Sequence, residues 1–356
     1  MDEISLQFRM LKPMICPKPL RPGATIGVFT PSSPGYVWNA GLFENGIKNL
    51  ERLGFKVVLG SVTKARAAQG YRSATPQERA EEFMNLIEDP KVDGLISTIG
   101  GYNSSSMIPF LDFDAIRDAR KIMCGFSDVT SLHMSILKFS RLRTIYGPSV
   151  MCWFGDWPNS VPESDDWFLD AVCRHESGER TVTAPSRWSN FKRRWDNGDW
   201  KSVPREWYPN EGWRVLCAGR AEAPILALNL NTMLSAAGTP YWPDFTGKIL
   251  LIEDMDAPMA RTERSLRQLE YNGVFEEIAG LIVGKPEVYD QQGAPFGYDA
   301  LFSEIVGQRP YPIVSNFDCS HTLPMISIPQ LAPVRLEAAD PKGPVRLTFL
   351  EGSTRD

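Results

Sequence analysis

Val92-Asp93-Gly94-Leu95-Ile96-Ser97-Thr98-Ile99-Gly100-Gly101-Tyr102-Asn103-Ser104 is the stretch on which the reading of this chain turns. An apolar run of strand length passes into a glycine pair and small polar residues, and Met107-Ile108-Pro109-Phe110-Leu111 then turns apolar again. This is the pattern of a buried strand ending in a sharp turn that presents a hydroxyl, because glycine tolerates φ > 0 and lets a carbonyl approach the backbone. The turn resembles a nucleophile elbow with Ser104 as its hydroxyl, although it lacks the usual G-x-S-x-G. A plain Gly/Ser/Asn-rich loop is the competing reading.

Outward from this turn, strand and helix signals alternate. Ala24–Thr30 reads as a strand ending at Pro31-Ser32-Ser33-Pro34-Gly35, and a helical stretch then runs to about Leu53 and stops at Gly54. Phe55–Leu59 is the next strand. Thr75-Pro76-Gln77-Glu78 has the form of a capping box with proline at the first helical position, opening a helix through Ile87. Lys121–Phe126 is a further strand, after which Ser127-Asp128 offers an N-cap for a helix around His133. Such alternation predicts an α/β fold with a mostly parallel sheet. Ligands in these sheets gather at the carboxyl ends of the strands, where Ser32, Ser33, Gly101 and Ser104 fall.

The bulk properties narrow the function. A chain of 356 residues has room for two domains, and 43% hydrophobic with 23% charged residues is ordinary for a globular protein. A net charge of −5 argues against a nucleic-acid backbone as partner. No stretch reaches the roughly 18 apolar residues of a membrane span, and the acidic start shows no secretory signal. The six cysteines (16, 124, 152, 173, 217 and 319) have neither C-x-x-C nor zinc-site spacing, so a reducing cytoplasmic setting without disulfides or cofactor is expected.

Three regions follow: 1–150 carrying the turn, 151–213, and 214–356. Eight of the ten tryptophans lie in the middle one (153, 157, 167, 188, 195, 200, 207, 213). It reads as an insertion or lid whose indoles either glue it to the body or stack on a flat substrate group. Beyond it, Lys248–Ile252, Gly280–Gly284 and Tyr311–Val314 read as strands, Arg261–Tyr271 as a helix stopped by Gly273, and 334–337 with 345–350 as a closing antiparallel pair.

A serine nucleophile needs a base, and the base needs an orienting acceptor. Only three histidines are available. His133 sits among Leu132, Met134, Ile136 and Leu137 and reads as packed core, and His175 lies in a solvated charged run. His321 stands in a polar loop just after a strand, where a base on a rigid frame belongs. Glu253 closes the strand 248–252 and is the acid expected to orient it. The acidic run Glu253-Asp254-Met255-Asp256 also admits a helix-terminal or metal reading, the latter disfavoured by a lack of clustered ligands.

Taken together, Pro31-Ser32-Ser33-Pro34, Gly70-Tyr71-Arg72-Ser73, Ile99–Ser104, Gly125-Phe126-Ser127-Asp128, Tyr146-Gly147-Pro148, Gly247–Asp254 and the His321 loop resemble the serine LD-carboxypeptidases, and within them the microcin C immunity branch. The resemblance implies a flavodoxin-like N-terminal parallel-sheet domain and a smaller, mixed, barrel-like C-terminal domain, in a homodimer. It implies a triad of Ser104, Glu253 and His321, with an oxyanion hole from the amides of Ser105 and Gly101. The implied reaction is hydrolysis of an amide in a small peptidyl- or aminoacyl-nucleotide. Murein-recycling members carry glycine where this chain has Asn103, and Ala227-Leu228-Asn229-Leu230 replaces a Gly-Gly-Asn-Leu segment while keeping Asn229. Asn103, Ser33, Arg72, Asn229, Trp188 and Trp195 are the expected substrate contacts, and Arg72 or Lys285 the cation for a terminal carboxylate or phosphate. A murein LD-carboxypeptidase and a non-catalytic binding protein are the alternatives.

Overall fold

The computed structural model describes residues 12–174, 178–190, 197–341 and 343–356, and the chain divides into two units. The first takes Met1–His175, Lys192–Arg205 and Ser353–Asp356, and the second Glu176–Phe191 and Glu206–Gly352. The Trp-rich stretch 151–213 is therefore shared out. Trp153, Trp157, Trp167 and Trp200 belong to the first unit, and Trp188, Trp207 and Trp213 to the second. Trp195 and His175 lie outside the described residues.

The first unit is built from β1 (Thr25–Phe29), α1 (Ala40–Arg52), β2 (Lys56–Leu59), α2 (Pro76–Glu88), β3 (Gly94–Ser97), α3 (Phe113–Ala119), β4 (Ile122–Gly125), α4 (Thr130–Ser135) and β5 (Ile145–Tyr146). Its strands are all parallel, in the order β5-β4-β3-β1-β2. This is the flavodoxin-like order, with the strand direction of travel reversing between β1 and β3. The strands read as apolar runs because helices cover both faces: β3 and β4 are buried throughout. Leu50, Val28, Ile145 and Phe168, all at most 1% exposed, share one core, each contributing roughly 1.5–3 kcal/mol by leaving water. The capping box forms as read, Glu78 N donating to Thr75 Oγ1 and Thr75 N to Glu78 Oε2. At the switch point the loops after β1 and β3 meet, Ser33 N donating to Gly100 O at 3.2 Å.

The second unit comprises β6 (Arg180–Val182), β7 (Arg187–Trp188), β8 (Tyr208–Pro209), β9 (Arg214–Cys217), β10 (Gly219–Asn229), α5 (Leu230–Leu234), β11 (Ile249–Glu253), α6 (Met259–Tyr271), β12 (Gly280–Gly284), α7 (Tyr298–Val306), β13 (Ile313–Phe317), β14 (Pro333–Ala338) and β15 (Arg346–Phe349). Eight of the strands form one mixed sheet in the linear order β6-β15-β14-β10-β11-β12-β13-β9. Its centre, β10 to β13, is parallel, and antiparallel strands flank it on both sides. The α/β class, a parallel-sheet N-terminal domain and a second mixed-sheet domain, is as expected from sequence. Among the described residues no helix is long and apolar enough to cross a membrane.

Candidate active site

Space as well as conformation explains the glycine pair. Gly101 has φ +148°, and a Cβ there would lie 2.3 Å from Ser32 Oγ and 2.5 Å from Ser33 Oγ. A Cβ on Gly100 would lie 2.9 Å from Ser127 Cβ and 3.0 Å from Ser127 Oγ. The turn thus forms a wall packed directly on Ser127. Ser32 Oγ accepts from the amides of Tyr102 and Asn103 at 3.0 and 3.1 Å. Buried Arg79, which sequence reasoning passed over, donates to Asn103 Oδ1 (2.7 Å), Asn103 O (3.1 Å), Ser106 Oγ (2.9 Å) and the Pro31 carbonyl.

Ser104 does not have the geometry expected of it. It opens a 3₁₀ stretch, Ser104–Phe110, beyond the end of β3 and is 0% exposed. Its Oγ donates to Asp128 O at 2.5 Å and its amide to Asp128 Oδ2 at 2.8 Å. This is a satisfied buried hydroxyl rather than a presented one. Ser105, expected to give an oxyanion amide, is exposed on the same stretch.

Elbow geometry belongs to Ser127. It follows β4 by one residue, has φ +60°, and leads through a 3₁₀ turn, Ser127–Val129, into α4. A non-glycine residue held there costs on the order of 1–3 kcal/mol, and such strain collects at working sites. The half-buried Ser127 hydroxyl has no hydrogen-bond partner among the described residues, while its amide donates to Tyr146 Oη at 3.2 Å. The expected N-cap role is also corrected: Val129 stands at the N-cap of α4 without a side-chain cap. The Asp128 carboxylate faces the amides of Asn103 and Ser104 instead. The signal available in the sequence was an apolar strand, one residue, a serine and a helix.

In the second unit β10 and β11 end side by side, and their parallel register sets Asn229 opposite Glu253. Asn229 Nδ2 donates to Glu253 Oε1 at 3.0 Å, while its Oδ1 accepts from Thr232 N at 3.1 Å and caps α5. The other carboxylate oxygen accepts from His321 Nδ1 at 2.6 Å. Gly284, at the end of β12, makes this possible. A Cβ there would lie 2.6 Å from Cys319 O, 2.8 Å from Glu253 Cβ and 3.0 Å from Ser320 Cβ. Only glycine lets the His321 loop close down on Glu253.

Burial presses the His321 imidazole down. The Glu253 charge and hydrogen bond, with Glu287 and Asp254 adding, outweigh it and hold His321 above its ordinary value. Burial and the Glu253 charge push Asp254 up to about 6, against Arg261 and Asn231. With the proton held on Nδ1, Nε2 becomes the basic nitrogen of the ring.

The other candidates divide clearly. His133 is packed, its ring bonded to Thr144 Oγ1 (2.7 Å) and Gly125 O (2.8 Å) and pushed down to about 4 by burial. Lys285 is no surface cation. It pairs with Asp318 at 2.6 Å, both side chains at most 1% exposed, and Trp213 Nε1 donates to the same carboxylate at 2.7 Å. That cluster anchors the loop just before His321. Arg72 is half-buried, its Nε donating to Gln69 Oε1 at 3.1 Å. Trp188 tilts against Tyr208 at 5.7 Å, and the next residue, Ser189, pairs with Leu323 of the His321 loop through two backbone hydrogen bonds. Ser33, Gly101, Asn103 and Ser104 therefore gather in the first unit, and Asn229, Glu253 and His321 in the second. Among the described residues no group of three or more His, Cys, Asp or Glu side chains could hold a metal ion.

The chain matches the LD-carboxypeptidase N-terminal domain over residues 26–147 and the LD-carboxypeptidase C-terminal domain over 222–336. A Vibrio cholerae protein carrying a carboxypeptidase name is 37% identical over 317 residues, 89% of this chain and 93% of that one. The microcin C7 self-immunity protein of Escherichia coli is 37% identical over 316 residues, 87% of this chain and 90% of its own. A murein tetrapeptide carboxypeptidase of Pseudomonas aeruginosa is 25% identical over 284 residues, 79% of this chain and 83% of its own. Solved structures of the microcin C7 self-immunity protein with glutamyl sulfamoyl guanosine and with aspartyl sulfamoyl adenosine, 34% and 33% identical, each superimpose with a TM-score of 0.89, covering 96% of this chain and 99% of theirs. A presented serine, a carboxylate-oriented histidine, two matching domains and relatives of this identity lead to one conclusion: the chain belongs to the LD-carboxypeptidase family, peptidase family S66, and is a serine carboxypeptidase.

Proposed function

We propose that Ser127 is the nucleophile of this carboxypeptidase, with His321 as base and Glu253 as the acid that fixes the imidazole, on aminoacyl- or peptidyl-nucleotide substrates. The observation that carries the reading is Ser127 itself: a non-glycine residue at φ +60° between a buried strand and a helix, with Gly100 packed against its side chain. Ser127 Oγ attacks the acyl carbon as His321 Nε2 takes its proton. The oxyanion is received by the amide of Asp128, the residue after the nucleophile, together with that of Gly101, and each such donor is typically worth roughly 3–4 kcal/mol. His321 returns the proton to the departing nitrogen, and water releases the acyl group by the same steps reversed.

For the substrate, support comes from the 37% identity to the self-immunity protein, and from that protein's structures with aminoacyl sulfamoyl nucleosides. A solved active-site mutant of it replaces a serine, an asparagine and a lysine by alanine, and the site proposed here likewise contains a serine and, on Glu253, an asparagine. Asn103, through which the turn resembles the immunity branch, is held by Arg79. Two measurements test the proposal. Ser127→Ala should cost roughly 10⁴-fold or more in kcat and Ser104→Ala far less, as nucleophile removal does elsewhere; the reverse order refutes the assignment. Aspartyl sulfamoyl adenosine should be cleaved in preference to murein tetrapeptide, and preference for the tetrapeptide refutes the nucleotide reading.

A further inference from the structure

We infer that the Asp128 side chain is a positioning group that sets the spacing of the oxyanion hole, an inference resting on Ser127 as nucleophile. Asp128 occupies two places at once. Its amide follows the nucleophile, and its carboxylate oxygen Oδ2 accepts from the amides of Asn103 (2.9 Å) and Ser104 (2.8 Å). Its main-chain carbonyl takes the Ser104 hydroxyl at 2.5 Å. The residue is 4% exposed, so these bonds are made away from water, where charge-assisted hydrogen bonds are strong. Three tethers therefore join the turn that bears the nucleophile to the loop that bears Gly100 and Gly101. Asn103 is two residues from Gly101, and little slack is left between the tether and the second oxyanion amide.

Arg79 completes the clamp on the loop. Its guanidinium binds Asn103 O and Oδ1, so the Asn103 peptide is held by a cation at its carbonyl and an anion at its amide. Ser32 Oγ shares that amide at 3.1 Å. Oxyanion holes work by preorganisation, and their donors must be held to about 0.5 Å. Ser104 gains a function on this account: its amide and hydroxyl are two of the three tethers.

The test uses the full chain and aspartyl sulfamoyl adenosine, measuring kcat, KM, Tm and the affinity of a boronic acid inhibitor whose tetrahedral adduct occupies the oxyanion hole. Asp128→Ala should lower kcat roughly 10- to 100-fold, the scale of a small misplacement, with KM little changed and boronate affinity falling in step with kcat/KM. Asp128→Asn still offers an acceptor oxygen to both amides and should recover most of the loss. An Asp128→Asn variant as impaired as Asp128→Ala assigns the carboxylate to proton chemistry and overturns the inference, as does a rise in KM alone. If Asp128→Ala fails to fold, Ser104→Ala decides: kcat should fall several-fold at unchanged KM, and a wild-type kcat refutes the clamp. Ser127→Ala is run alongside. If it stays active, the nucleophile assignment fails; if it is dead while Asp128→Ala and Ser104→Ala keep full kcat, only the clamp fails.

Discussion

Replacing Glu253 by glutamine should cripple turnover and move the acid limb of kcat/KM to lower pH. Glu253 accepts on both oxygens, from Asn229 Nδ2 at 3.0 Å and from His321 Nδ1 at 2.6 Å. Glutamine has one acceptor oxygen and one donor NH₂. If its oxygen stays with Asn229, the NH₂ faces His321, drives the ring proton to Nε2 and leaves the base in the wrong tautomer. If its oxygen turns to His321, the NH₂ faces the Asn229 NH₂, and Asn229 can relieve this only by flipping and giving up its cap on Thr232. A wrong tautomer of this kind costs about 10⁴-fold in kcat in a related triad, so a loss of roughly 10³–10⁴-fold, or about 4–5.5 kcal/mol, is expected. The pH effect has a definite sign. The neutral ring is the working base, so kcat/KM falls as pH drops through the His321 pKa. The Glu253 charge and hydrogen bond are the largest causes raising that pKa, and without them burial drives it down. The assay is kcat/KM across pH on aspartyl sulfamoyl adenosine, with imidazole nitrogen shifts from NMR to read the tautomer. A Glu253→Gln enzyme with wild-type kcat, or an acid limb that stays put or moves up, refutes the orienting role.

Two further outcomes test the frame around the site. Gly284→Ala places a methyl 2.6 Å from the Cys319 carbonyl, so the His321 loop must lift; stability should fall by about 1–3 kcal/mol in denaturant titration, and the His321 pKa should drop as its bond to Glu253 lengthens, an unmoved pKa counting against the account. His133 should make stability fall with acid: its folded value of about 4 lies below the ordinary 6.5, so the stability of the buried neutral ring is full above about 6.5 and is lost as pH falls toward 4, on the order of 3 kcal/mol in all. Unfolding free energies for wild type and His133→Gln across that range should show the slope in the former and a shallower one in the latter.

Which features were legible follows from where their physical causes lie. Parallel strands covered on both faces read as apolar runs, so β1, β3, β4, β11 and β12 stood out from local sequence, as did the capping box at Thr75 and Glu78. Glu253 and His321 were legible because each comes at or after the end of such a run, and the hydrogen bond between them joins the end of β11 to the loop after β13. The long strand β10 was missed. Its first half alternates in exposure beside antiparallel β14, its second half is buried beside parallel β11, and its alanines and Pro224 blur both periods. The choice between Ser104 and Ser127 has a different cause. Both follow an apolar run, and Ser104 has more glycine beside it. The conformation of Ser127 depends on distant partners, Gly100 packed on its side chain and Tyr146 Oη on its amide. A glycine pair marks where room is needed, and the residue that uses the room comes from elsewhere in the chain. Gly100 makes way for Ser127, Gly101 for Ser32 and Ser33, and Gly284 for the loop that brings His321 to Glu253. At each of these positions the group that approaches the glycine comes from a distant part of the chain, and only the three-dimensional arrangement brings the two together.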